Sequence, residues 1–211
     1  MSSPKPLPRF AIILCAAVLL AGKAVAADFY ALQPTARGLS VSLKNEATAG
    51  TNIVRRVYVT SGASQFAFGL PDGFRLNAYP EKILLTSAQD NCFLTFRLTT
   101  PASANLKESE TAIYRRLALS QFPGATISAE LAGRVANHAG PAFDLTWRNS
   151  GGGTQAARIA YIPVAAGVLE VSLVTTPDKF GGDQYYYNSM LASMVTNESG
   201  KLEPAAPPGN S

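Results

Sequence analysis

The chain has 211 residues, with 18 Lys and Arg against 14 Asp and Glu, one His and two Cys. Three of its bases, Lys5, Arg9 and Lys23, fall in the first 26 residues, where there is no acid, so the remaining 15 bases and 14 acids nearly balance. That balance argues against nucleic acid as a partner, since Arg55-Arg56 and Arg115-Arg116 are each too short to neutralise a run of phosphates. One His and one Cys beyond residue 26 are too few for a zinc site, and no Asp-rich loop has the alternating spacing of a calcium site. No metal and no cofactor is expected.

Residues 1–26 have the three-part layout of a secretory signal peptide: a basic start, an apolar run from Phe10 to Gly22, then Ala24-Val25-Ala26. The run would be about 20 Å long as a helix, short of a bilayer core of ~30 Å. Cleavage after Ala26 is expected, with export to the periplasm or beyond and no transmembrane segment afterwards. Cys15 lies inside the apolar run, so only Cys92 would remain and no internal disulfide can form. The remaining chain is the size of one domain and large enough to stand on its own core.

A mobile start leads to a strand at Leu39–Leu43, and a polar loop to a second strand over Ile53–Thr60. From Gln65 to Leu70 the bulky Phe66, Phe68 and Leu70 recur at period two. Pro71-Asp72-Gly73 supplies a fixed φ, a self-capping side chain and a residue free to take positive φ, which is a turn. Strands are expected over Phe74–Ala78, Lys82–Ser87 and Asn91–Thr99. In the last of these Cys92, Leu94, Phe96 and Leu98 share a face, so Cys92 points inward.

Helix follows from Ser109 to Phe122, with Ile113, Tyr114, Leu117, Ala118 and Phe122 on its packed face and Pro123-Gly124 as its stop. Further strands cover Thr126–Ala136, Ala142–Trp147, Gln155–Val164 and Val168–Thr175. The last sets Leu169, Val171 and Leu173 against Glu170 and Ser172, which predicts one buried and one wet side. A final helix is expected from about Asp183 to Val195, docking by Tyr187, Met190, Leu191 and Met194, with Asp178 and Asp183 as caps around Gly181-Gly182. The organisation expected is a signal peptide over 1–26, an N-terminal extension with a β-hairpin over 27–63, an α+β domain over 64–197 and a disordered tail over 198–211. The fold class is α+β, an antiparallel β-sheet flanked by helices.

Few residues are arranged for chemistry. His138 sits in a turn and is the one histidine available as a base, and Ser150-Gly151-Gly152-Gly153 lacks the strand, nucleophile and helix context of a reactive serine. Asp144 and Glu170 could serve a small hydrolase only if they faced one cleft. The run Tyr185-Tyr186-Tyr187 sweeps ~200° around a helix, so the three cannot all join the buried stripe. Tyr187 belongs to the core series, which leaves Tyr185 and Tyr186 at its edge or outside, where tyrosine suits a partner surface.

Phe66-x-Phe68-x-x-Pro71-x-Gly73-Phe74 resembles the opening strand and turn of the fold family shared by the extrinsic photosystem II protein PsbP and the nuclear-import factor of the Mog type. The closing unit is similar too: strand Val168–Thr175, linker Pro177-Asp178-Lys179-Phe180, and the helix bearing Tyr187, Met190, Leu191 and Met194. This PsbP/Mog-like resemblance covers about residues 64–195; residues 28–63 depart from it. It implies an α/β/α sandwich and a non-enzymatic scaffold that binds other proteins, and it carries over no functional residue. The expectation is an exported binding or scaffold protein with a protein partner at Tyr185 and Tyr186. The alternatives are a small hydrolase using Asp144 and Glu170, and a carrier enclosing an apolar ligand among the many Phe and Tyr side chains.

Overall fold

The computed structural model describes residues 32–34, 38–47, 53–62, 64–101 and 110–197. The expected signal peptide with Cys15, and the expected tail over 198–211, lie outside the described residues. In chain order the elements are β1 (Leu32–Pro34), β2 (Ser40–Ala47), β3 (Ile53–Ser61), β4 (Ser64–Gly69), β5 (Phe74–Ala78), β6 (Ile83–Ser87) and β7 (Phe93–Pro101). Then follow α1 (Glu110–Gln121), β8 (Thr126–Val135), β9 (His138–Arg148), β10 (Thr154–Val164), β11 (Gly167–Thr175), α2 (Pro177–Ala192) and β12 (Val195–Asn197). All pairings are antiparallel.

The large sheet runs β5-β6-β7-β11-β10-β9-β8, with β1 also on β7, and a smaller sheet runs β12-β4-β3-β2. The chain is thus α+β, dominated by antiparallel sheet. The Phe66 strand pairs in the smaller sheet with β3, so β2 and β3 share a sheet with β4 rather than standing apart as a lone hairpin. The turn after it forms as its chemistry dictates: Phe74 N–H donates to Pro71 O at 3.1 Å, and Gly73 takes φ +77°.

Strand alternation sends side chains to two apolar clusters. One gathers Phe66 and Phe68 of β4, Leu94, Phe96 and Leu98 of β7, Leu169, Val171 and Leu173 of β11, and Tyr187, Met190 and Leu191 of α2. The other holds Ile113, Tyr114, Leu117 and Ala118 of α1 with Phe143, Leu145, Ile159, Tyr161 and Val168. Because β11 gives Leu169 to the first and Val168 to the second, the clusters lie on opposite faces of the large sheet. Cys92 belongs to the first, as its alternation with Leu94 predicts.

Two expectations need correction. The side of β11 read as wet is covered: Glu170 is 2% and Ser172 6% exposed. β11 lies inside the sheet between β7 and β10, and α1 packs over that face; alternation along one strand does not register a layer supplied from elsewhere. The final helix also starts six residues before Asp183, so Pro177-Asp178-Lys179-Phe180 is its first turn rather than a linker. Proline costs nothing at that position, where its missing N–H has no intrahelical partner. Asp178 suits the positive end of the helix dipole, and its carboxyl is held below its ordinary range mainly by the Thr176 hydroxyl. Gly181 and Gly182 sit inside the helix at about 1 kcal/mol each relative to Ala. Asp183 is therefore no cap; its carboxylate accepts from Thr175 Oγ1 at 2.5 Å.

Candidate binding groove beside helix α2

The three tyrosines of α2 point three ways. Tyr187 is 2% exposed, and its hydroxyl reaches Val171 O at 3.4 Å. Tyr186 is half-buried with its ring edge-on to Phe74, centroids 5.0 Å apart. Tyr185 is 71% exposed and touches the Tyr186 ring at 5.7 Å. The helical sweep of the sequence thus places Tyr187 in the core, Tyr186 at the rim and Tyr185 in solvent.

Tyr185 and Tyr186 line a groove of about 620 Å³ between α2 and the β3–β4 side of the smaller sheet, with Ile53, Arg55, Leu70 and Asp72 on the opposite wall. Ile53 is 69% exposed, so the two most exposed large apolar side chains among the described residues border one depression. The walls are tied together at one end. Gly69 N–H donates to Ser193 Oγ at 2.9 Å across the groove, while Leu70 N–H donates to Arg55 O at 2.8 Å within the sheet wall. A Cβ at Gly69 would meet Ser193 Oγ at 3.4 Å, an ordinary contact, so the hydrogen bond rather than the glycine holds β4 against the end of α2. The groove is thus lined by the apolar Ile53, Leu70 and Met190 and the two tyrosines, with Arg55 and Asp72 offering both signs of charge. Sequence reasoning found the tyrosine wall and missed the Ile53 wall. Its one sequence signal was a β-branched residue directly after a polar loop.

On the other side of Tyr186 a second depression of about 430 Å³ is lined by Phe74, Asn91, Cys92, Lys179 and Asp183. The Cys92 thiol is pushed up to about 12, first by burial and then by the charge of Asp183. A thiol so protonated is a poor nucleophile.

The two acids of the hydrolase alternative do not meet. On β9, Phe143 and Leu145 face α1, so Asp144 between them projects to the α2 side, where Arg158 carries its guanidinium over the Phe180 ring at 5.9 Å. Asp144 accepts from Arg158 Nε at 2.7 Å and Nη2 at 2.8 Å. Glu170 projects to the α1 side, accepting from Gln121 Nε2 at 2.6 Å and facing Arg97 at 3.5 Å. Burial raises its pKa, against the opposing pull of Arg97 and Gln121. Lying on opposite faces of one sheet, each in its own ion pair, the two carboxylates form no common cleft. The aromatic rings that suggested a carrier fill space with one another: Phe66 and Phe68 pack on Phe96 at 5.9 and 5.7 Å, and Tyr114 stacks on Tyr161 at 4.9 Å.

No protein-family model matches the sequence. No curated protein matches it either. Among solved structures the chain is similar to LpqN of Mycobacterium tuberculosis, described as involved in cell envelope biogenesis, at 12% identity and a TM-score of 0.48 over 75% of this chain and 91% of that one. It is similar to the cyanobacterial PsbP of Synechocystis at 11% identity and a TM-score of 0.47, over 72% and 98% of the two chains. It is also similar to TplEi, a type VI secretion immunity protein of Pseudomonas aeruginosa, at 12% identity and a TM-score of 0.38, over 79% and 80%. The resemblance to PsbP-like proteins is thus one of fold, and a loose one. Among the described residues no helix is long and apolar enough to cross a membrane.

Proposed function

We propose that the chain is an exported, non-enzymatic binding protein that receives a protein partner in the groove between Tyr185 and Ile53. The observation that carries this reading is the convergence of these two exposed apolar side chains, from separate elements, on one groove with Arg55 and Asp72 beside them. Apolar and aromatic side chains beside an Arg are the composition of protein interfaces, and tyrosine adds contact area at small entropic cost. The separation of Asp144 from Glu170 supports binding over hydrolysis, and the filling of the core by aromatic contacts supports it over carriage of an apolar ligand.

In this reading residues 1–26 direct the chain to the periplasm or outside the cell and are removed after Ala26. Residues 27–63 extend a domain over 64–197, and residues 198–211 form a tail. Helix α1 on one face of the large sheet and α2 on the other support an α/β/α sandwich. The reading is tested by affinity capture from the envelope fraction with the wild type and with Tyr185→Ala and Ile53→Ala variants. Loss of the same captured protein in both variants is the expected result; capture that is unchanged in the double variant contradicts it. The mass of the exported chain tests the cleavage point.

A further inference from the structure

Strand β8 is an outer strand of the large sheet and pairs only with β9 among the described residues. It has ten residues, no proline and one irregularity, between Ile127 and Ala129. The opposite outer strand, β5, has five residues. Long edges are usually blunted by proline, charge or cover, because their unpaired N–H and C=O groups recruit another strand. The two-residue turn Ala136-Asn137 closes the hairpin at the pair Val135–His138. Such a turn closes on a hydrogen-bonded pair, and bonded pairs alternate along an antiparallel ladder. Val135, Gly133 and Leu131 therefore bond to β9, while Glu130, Ala132 and Arg134 direct their backbone groups outward.

The side chains on this edge complement themselves. Glu130 and Arg134 are both exposed and lie symmetrically about Ala132. We propose that a second copy of this chain adds antiparallel to β8 about a two-fold axis at Ala132, with Glu130 of each copy opposite Arg134 of the other. The same register sets Leu131 of each copy opposite Gly133 of the other. Leu131 is 42% exposed and borders a groove of about 350 Å³ lined by Gly133, Arg158, Asn188 and Leu191. The space above Gly133 is taken by Ala160, whose Cβ lies 2.7 Å from where a side chain would begin, so the incoming leucine meets that groove at its Leu131 rim. Two-fold registers centred on Glu130 or on Arg134 would set like charges against each other, which is unfavourable. Within its own chain Glu130 also faces Arg115 at 3.2 Å, in an exposed pair. The free edge of the smaller sheet, β2, lacks this option, since its acid Glu46 is buried and paired with Arg56 at 3.1 Å. The contact is isologous and closes at two copies.

The test is sedimentation velocity of the full chain over a wide concentration range, with Glu130→Arg, Arg134→Glu and the double exchange. These side chains are exposed, and thermal melts check that each variant stays folded. The wild type is expected to form a dimer, each single reversal to weaken association at least about tenfold, and the double exchange to restore it. A wild type that is monomeric throughout overturns the proposal. So does a dimer indifferent to both single reversals, or a double exchange that fails to reassociate.

Discussion

Arg158 on β10 and Asp144 on β9 face each other across the ladder as a bidentate ion pair, at 2.7 and 2.8 Å, beneath α2. Their side chains are 17% and 11% exposed, so neither end is compensated by bulk water if the other is removed. Burial works against the Arg158 charge, but the Asp144 hydrogen bond outweighs it and keeps its pKa raised.

Removing one partner strands the other. Asp144→Ala is expected to lower stability by about 3–5 kcal/mol. The double replacement Asp144→Leu with Arg158→Met is expected to cost less than that single change, because it removes both desolvation penalties together. Urea denaturation of the three proteins measures both.

Glu170 gives a pH dependence of opposite sign to an ordinary surface carboxylate. Its pKa is raised in the fold above the ordinary 4.5, first by burial. Below that value both folded and unfolded chains hold the proton and there is no penalty. As pH rises the unfolded chain releases its proton first, so this group's contribution is lost until the folded carboxyl has ionised as well. Glu170→Gln keeps an acceptor for Gln121 and removes the buried charge. It is expected to melt higher than the wild type at pH 7, with the difference shrinking as pH falls toward 4.5. Melts from pH 3 to 8 check the sign.

Cys92 is 2% exposed, and its thiol pKa is pushed up to about 12. Thiolate is the reactive form, so a maleimide at pH 8 is expected to leave Cys92 unmodified in the folded chain and to label it fully in denaturant. Peptide mass spectrometry distinguishes it from Cys15.

The sequence was most informative where one element sufficed to define a side chain's place. Phe66, Phe68 and Leu70 with Pro71-Asp72-Gly73 announced a strand and a turn, and Tyr187, Met190 and Leu191 announced a helix face; all six apolar side chains are buried. Glu170 defeated the same logic, because what covers it is α1, distant in sequence. The start of α2 was hidden by Gly181-Gly182, whose low helix propensity is overridden by Pro177 at the first turn and by the docking of Phe180. Angular spacing alone put Tyr185 and Tyr186 at the edge of the buried stripe or outside it, without deciding which of them faces solvent. Their groove was not legible, since the wall bearing Ile53 comes from β3, and the meeting of β3 with α2 exists only in the fold.

The most direct test of the binding account is photo-crosslinking in the envelope from a reactive phenylalanine analogue at position 185, with the same residue at Leu119 on α1 as the control. Both positions are exposed, at 71% and 37%. A discrete adduct from position 185, absent from position 119 and lost on Ile53→Asp, is the predicted result. An adduct pattern common to both positions, or one that persists unchanged with Ile53→Asp, would contradict the account.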